Sequence, residues 1–163
     1  MKDIKECYEV MEQSAWELDR SKVATLVMES QSWAATYVLI GWFALTEGRV
    51  DRSKASLARA EASCESEEDL AYVLHIESIA FLRMGDTGKA LEKEDACLAL
   101  CRKTKNPRLA AQVLVQLGAI SHALGQDGLN RARLQGRGHG TPKKEKKLPG
   151  RRKRGDGVTV NRG

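Results

Sequence analysis

The stretch Phe81-Leu-Arg-Met-Gly85-Asp-Thr-Gly-Lys-Ala90 decides the fold, because its central glycine recurs at a regular spacing along the chain. Gly48, Gly85 and Gly125 each follow an apolar, helix-like segment, at intervals of 37 and 40 residues. A glycine ends a helix in a left-handed turn that other residues adopt only with strain. A period of this length is typical of stacked two-helix units. The sequence therefore predicts helical hairpins with chain reversals at the three glycines.

A small residue lies seven positions before each of these glycines, namely Gly41, Ser78 and Gly118. A glycine inside a helix costs about 1 kcal/mol of helix propensity. A small side chain at this point lets a second helix approach closely. We therefore expect the second helix of each hairpin to pack at these three positions.

The apolar periodicity places helices along most of the first 126 residues. Ser66 is a predicted N-cap, with Asp69 three residues on, and Asn106-Pro107 ends a helix because the residue before proline avoids helical geometry. No long stretch alternates apolar and β-branched residues with polar ones, so the predicted fold class is all-α. The predicted helices cover residues 3–20 (with 22–29 continuing or breaking this helix), 32–47, 51–64, 67–84, 87–104 and 108–124.

Several residues match a known repeat pattern. Gly85-Asp86 and Ala90 match its Gly-Asp and following Ala, Leu117-Gly118 matches its Leu-Gly pair, and Ser53, Leu57 and Ala60 match its small–large–small pattern. Over roughly residues 30–125 the chain resembles tetratricopeptide repeats (TPR), most closely the long-period variety of bacterial MalT-type regulators. It departs from the family pattern at two places. Glu77-Ser78 replaces the family's Leu-Gly pair, and Glu94 replaces the family's aromatic residue on the second helix.

The resemblance implies a short right-handed solenoid whose first helices line a groove for a peptide or helix of another protein. The implied function is a protein–protein interaction module or scaffold. We also expect no enzyme, because the sequence shows no His near a candidate Ser or Cys nucleophile with a supporting acid. The chaperone-binding members' carboxylate clamp needs Lys and Asn in this groove, and neither is present. Trp42 and Ile79 are equally consistent with core positions between hairpins. The partner-binding positions that match the family are Val38, Trp42, Leu45, Tyr72, His75, Ile79, Arg83, Val115 and His122.

The charge of the chain divides sharply at residue 126. Residues 1–126 carry 15 Lys/Arg and 19 Asp/Glu, whereas residues 127–163 carry 12 and 3. We therefore expect a repeat domain over 1–126 and a disordered basic tail over 127–163, which has too few apolar residues to offset the cost of ordering. The third hairpin is cut off at this boundary, and its uncovered helix at 108–126 is a candidate for docking or self-association.

The tail contains two basic clusters separated by Leu-Pro-Gly. They resemble a bipartite nuclear-import signal, and they also suit non-specific binding of nucleic acid or another polyanion. A solvated tail without a selected role explains them as well. The alternative function is therefore a regulatory or nucleic-acid-associated protein that acts through the tail. The clustered residues are Lys143, Lys144, Lys146, Lys147, Arg151, Arg152, Lys153 and Arg154.

The four cysteines (Cys7, Cys64, Cys97 and Cys101) lie on predicted helices without a disulfide-like spacing, and the charged N-terminus shows no secretory signal. These features predict a cytoplasmic protein, with nuclear import through the tail as the alternative. Cys97 and Cys101 share a helix face, but a metal site needs two further ligands. We therefore expect core cysteines, no metal and no cofactor. The uncharged residues 30–46 are shorter than a membrane span and suit a buried helix.

Overall fold

The computed structural model describes residues 2–139, which are all-helical apart from short connections. No β-strand occurs within this range. The chain divides into two compact units, Met1–His122 and Ala123–Gly163, and the hairpins belong to the first. The helices are α1 (Ile4–Gln13), α2 (Arg20–Glu29), α3 (Trp33–Thr46), α4 (Val50–Ala62), α5 (Glu67–Arg83), α6 (Thr87–Thr104) and α7 (Pro107–His139).

Two helical hairpins, α3 with α4 and α5 with α6, form the most extensive helix pairs of the described residues. The reversals between their helices lie at Gly48 and Gly85, whose φ angles are 77° and 84°. Only glycine adopts this left-handed region without strain. Two of the three predicted reversals are therefore confirmed.

The predicted N-cap is also confirmed, because Ser66 Oγ accepts a hydrogen bond from the Asp69 amide at 3.0 Å.

The prediction of a third reversal at Gly125 is wrong. Gly125 lies inside α7, which continues without a break to His139. An added Cβ at Gly125 would meet no other atom within 4 Å. A turn at Gly125 would give up helical hydrogen bonds, which the continuous helix keeps. Residues 127–139, which the sequence assigned to the tail, are accordingly helical, and residues 140–163 lie outside the described range.

The prediction of one helix over residues 3–20 is also wrong. α1 ends at Gln13, and Ala15 and Trp16 take positive φ angles of 53° and 65°. The Asp19 carboxylate then caps α2 by accepting a hydrogen bond from the Lys22 amide. The turn directs Trp16 towards Trp42, with the two ring centroids 5.1 Å apart. Packing of a large aromatic ring therefore overrides helix propensity at this point.

The uncharged segment of residues 30–46 belongs to the core, as the sequence predicted. Leu39 and Trp42 of α3 are fully buried together with Met11 of α1 and Ile76 of α5. Among the described helices, none has the length and apolar character needed to cross a membrane.

Candidate functional site

The inner face of the hairpins, where the sequence placed a groove, is covered by the chain's own N-terminal helix. Trp42 Nε1 donates a hydrogen bond to the carbonyl oxygen of Trp16 at 3.0 Å. The ring of Tyr8 lies 5.2 Å from that of Tyr72 and 5.6 Å from that of His75. α1 and the turn after it therefore occupy the position expected for a bound helix.

The nine predicted groove residues consequently separate into two groups. Val38, Trp42, Tyr72 and His75 are buried, and a partner could reach them only if α1 moved. Their role in binding stays a prediction. The other five reach the surface. Leu45 and Ile79 are partly buried, and Arg83, Val115 and His122 are exposed.

The accessible groove residues are partly brought together. A cavity of about 130 Å³ is lined by Ile79 and Val115 together with the buried His75, and also by Tyr8 and Trp16. The Arg83 guanidinium, in contrast, lies over the ring of Trp42, 4.9 Å from its centroid. This cavity is too small for a helix, so it does not replace the predicted groove.

Close helix packing at the small residues is confirmed in both complete hairpins. A Cβ added to Gly41 would lie 2.9 Å from Leu57 Cγ and 3.3 Å from the Leu57 backbone nitrogen. Ser78 Oγ donates a hydrogen bond to the Ala90 carbonyl oxygen at 2.9 Å. At Gly118 an added Cβ would meet nothing within 4 Å. Within residues 2–139, the third position therefore has the small residue but no helix packed against it.

Residues near Gly118 are also more exposed than the equivalent residues of the two complete hairpins. Ala34 and Ala71, seven residues before Gly41 and Ser78, are buried, whereas Ala111, seven residues before Gly118, is exposed. The leucines four residues before Ser78 and Gly118 differ more strongly. Leu74 is 5% exposed, whereas Leu114 is 60% exposed. We call Ala111, Leu114 and Gly118 the open face of α7. The opposite side of this helix is buried through Leu109, Val113 and Ile120.

The open face carries little charge. No Lys, Arg, Asp or Glu occurs between Arg108 and Asp127, and Val115 beside the open face is 70% exposed. An uncovered apolar surface on a helix of this kind is typical of an interaction site. The sequence predicted an uncovered helix at 108–126, and the exposure of Leu114 and Val115 agrees with this prediction.

Substitution of the glycines is expected to separate the covered position from the open one. Gly41→Ala should lower the free energy of unfolding by about 1–3 kcal/mol, because overpacking against Leu57 outweighs the gain in helix propensity. Gly118→Ala should raise it by up to about 1 kcal/mol, since the added methyl group meets open space. Urea unfolding of both variants measures the difference. Shifts of the same sign would contradict the packing described here.

A buried polar cluster joins α5 and α6. His75 Nδ1 lies 2.9 and 3.1 Å from the two carboxylate oxygens of Glu94. Cys97 Sγ donates to the Ala71 carbonyl oxygen at 3.1 Å and lies 3.9 Å from Cys101 Sγ. Burial raises the pKa of the Glu94 carboxyl, although the hydrogen bond from His75 opposes this effect.

The cluster contains a thiol, an imidazole and a carboxylate, which are the groups of nucleophilic catalysis. Cys97 and Glu94 are fully buried, and His75 is 3% exposed beneath Tyr8. Burial also raises the pKa of the Cys97 thiol far above its usual range, which suppresses the reactive thiolate. The arrangement therefore favours a structural or ligand-holding role over covalent catalysis.

The chain matches no protein-family model, no curated protein and no solved structure. The basic residues at 143–147 and 151–154 lie outside the described range. The assignment of function therefore depends on the geometry of residues 2–139.

Proposed function

We propose that this protein is a protein–protein interaction module of TPR-like hairpins, a short right-handed solenoid that binds a partner's helix on the open face of α7. The observation that supports this most directly is the empty space at Gly118. In the two complete hairpins the equivalent positions, Gly41 and Ser78, hold a second helix in close contact. A helix from another chain fits the third position in the same way.

The chemistry of the partner helix follows from α4 and α6. The residues that contact the small positions are Leu57 of α4 and Ala90 of α6. A partner helix should therefore present small residues next to a leucine-sized side chain. It should carry no charge where it faces Leu114, because burying an unpaired charge is costly.

Catalysis has less support from the described residues than binding. The cluster of His75, Glu94 and Cys97 is closed to a substrate by its own burial. The open face of α7, in contrast, presents apolar surface to solvent, and a helix in such a surface is a common recognition mode.

An exposed alanine on each of two helices provides a matched test. Ala111 belongs to the open face, whereas Ala55 is exposed on α4 away from it. For a partner captured by the full chain and then purified, Ala111→Arg should weaken binding at least about 10-fold, a loss of about 1.4 kcal/mol. Ala55→Arg should leave the dissociation constant unchanged. Titration calorimetry with both variants measures this, and equal affinities would overturn the proposal.

Two further experiments distinguish the other occupants and the alternative function. Sedimentation equilibrium of a concentration series tests a second copy of this chain, and a dimer abolished by Ala111→Arg would replace the foreign helix with that copy. Removal of residues 140–163 tests the basic tail. If this deletion abolishes binding and nuclear entry while Ala111→Arg does not, the tail carries the function and the open face does not.

A further inference from the structure

The two hairpins differ at the positions that face each other between their helices. A shift of 37 residues relates Val38 to His75, Leu57 to Glu94, and Ala60 to Cys97. The first set packs as an ordinary apolar core, with all three residues fully buried. The fold therefore does not require polar residues at these positions. In the second hairpin all three are replaced by residues that ligate metals.

The same shift relates Cys64 to Cys101, which adds a fourth candidate ligand. Glu94, Cys97 and Cys101 share one face of α6, since they are three and four residues apart, and His75 reaches this face from α5. One ligand atom from each of His75, Glu94 and Cys97 lies within 4.8 Å of the others, and Cys101 is not a member of this group. The Cys101 sulfur is 3.9 Å from that of Cys97.

The separation of the two sulfurs suits a tetrahedral metal centre, and the Cys101 side chain would turn towards His75 and Glu94 to complete it. Zinc–sulfur bonds of about 2.3 Å place two thiolates about 3.8 Å apart, close to the separation of the two sulfurs. Nitrogen and oxygen ligands lie closer to zinc and to each other, as His75 Nδ1 and the Glu94 carboxylate do. A ligand set of two sulfurs, one imidazole and one carboxylate favours zinc over magnesium or calcium.

We propose that His75, Glu94, Cys97 and Cys101 form a structural site for a zinc-class divalent cation that ties α5 to α6. The imidazole binds through Nδ1 with its proton on Nε2, and the two thiols release their protons to solvent as the zinc–sulfur bonds form. The carboxylate and thiolates then offset the charge of the cation. Four protein ligands leave no open position, which is typical of a structural and not a catalytic centre.

The cation also explains why a carboxylate is tolerated at a fully buried position. Glu94 has no exposed surface, and His75 is the one basic side chain in contact with it within the described residues. A buried carboxylate with a single imidazole partner is costly, and a bound cation offsets that cost. This site is independent of the open face of α7, so either proposal can fail alone.

Cobalt(II) titration of the full chain, reduced and freed of metal by a chelator, tests the site. We expect thiolate-to-cobalt charge-transfer absorption and tetrahedral d–d bands that saturate at one equivalent and disappear when zinc(II) is added. Zinc should also raise the melting temperature, by roughly 10 °C when free zinc exceeds the dissociation constant about 100-fold. A folded wild-type chain without these bands would overturn the proposal.

The first hairpin supplies the matched variants. The triple substitution His75→Val, Glu94→Leu and Cys97→Ala installs the residues of the apolar hairpin, so this variant should fold, lose the cobalt bands and melt independently of zinc. Cys64→Ala removes the equivalent cysteine of the first hairpin and should keep both signals. Cobalt bands that survive the triple substitution, or that Cys64→Ala removes, would place the metal elsewhere and contradict the assignment.

Discussion

Trp42→Ala is expected to lower the free energy of unfolding by about 3–5 kcal/mol, close to the whole stability of many domains of this size. Trp42 of α3 is fully buried, and its indole nitrogen donates to the Trp16 carbonyl oxygen in the turn after α1. The substitution leaves a large cavity and an unpaired carbonyl group. It also removes the ring over which the Arg83 guanidinium lies. Urea unfolding followed by circular dichroism measures the loss.

Trp33→Ala is the matched control for this prediction. Trp33 begins α3 and is 69% exposed, with its ring stacked on Tyr37. Substitution of an exposed side chain usually changes stability by about 0.5 kcal/mol or less. A similar loss of unfolding free energy in both variants would contradict the burial of Trp42 beneath the N-terminal turn. It would instead indicate that Trp42 lies in an open groove.

Glu77→Gln is expected to stabilise the protein, increasingly so as the pH rises. Burial, followed by the neighbouring Glu61 carboxylate, raises the pKa of Glu77 to about 9. Its Oε1 has no hydrogen-bond partner within the described residues, and its Oε2 lies 3.6 Å from Lys93 Nζ. The carboxyl group is therefore held largely neutral in the folded chain at neutral pH. The glutamine variant keeps the shape and removes the ionisation.

The direction in which stability changes with pH follows from the linkage between protonation and folding. The folded pKa of Glu77 lies above the unfolded value, so its contribution to stability is complete below about pH 4 and is lost as the pH rises through about 9. At pH 8 the variant should exceed the wild type by roughly 2–4 kcal/mol, and at pH 4 the two should agree. Glu65→Gln, on the exposed connection between α4 and α5, should leave the pH dependence unchanged. A constant difference across pH 4–9 would contradict the prediction.

The sequence predicts the two hairpins well because their determinants are local. Gly48 and Gly85 specify their own left-handed turns, and Ser66 caps the helix that follows it. Gly41 and Ser78 mark the close packing because any larger side chain meets a neighbouring helix. Each of these requirements is met by one or two residues that can be recognised without coordinates.

The N-terminal helix and Gly125 could not be predicted in the same way. The break after Gln13 depends on the docking of Trp16 against Trp42, 26 residues away. Apolar residues at Tyr8 and Met11 indicate an amphipathic helix, but they do not show which surface it covers. At Gly125 the local signal for a turn is present, but the residue lies inside α7, and a glycine alone does not decide between a helix and a turn.

The polar cluster shows the same limit for the candidate site. From the sequence, Cys97 and Cys101 could be placed on one helix face. The sequence did not show which two further residues could complete a metal site. The fold supplies them, because His75 lies on α5, 19 residues before Glu94, and contacts its carboxylate across the hairpin. The 37-residue shift that relates the hairpins was the available signal, since it aligns His75, Glu94 and Cys97 with Val38, Leu57 and Ala60.

The most direct test of the open face of α7 is photo-crosslinking from position 114. A benzophenone amino acid at Leu114 should give a discrete adduct with one partner polypeptide, mapped to an amphipathic helix. The same probe at Ala55 should give none, and Gly118→Arg should abolish the adduct at 114. Adducts of equal yield from positions 55 and 114, or an adduct at 114 that survives Gly118→Arg, would contradict the binding of a helix at this face.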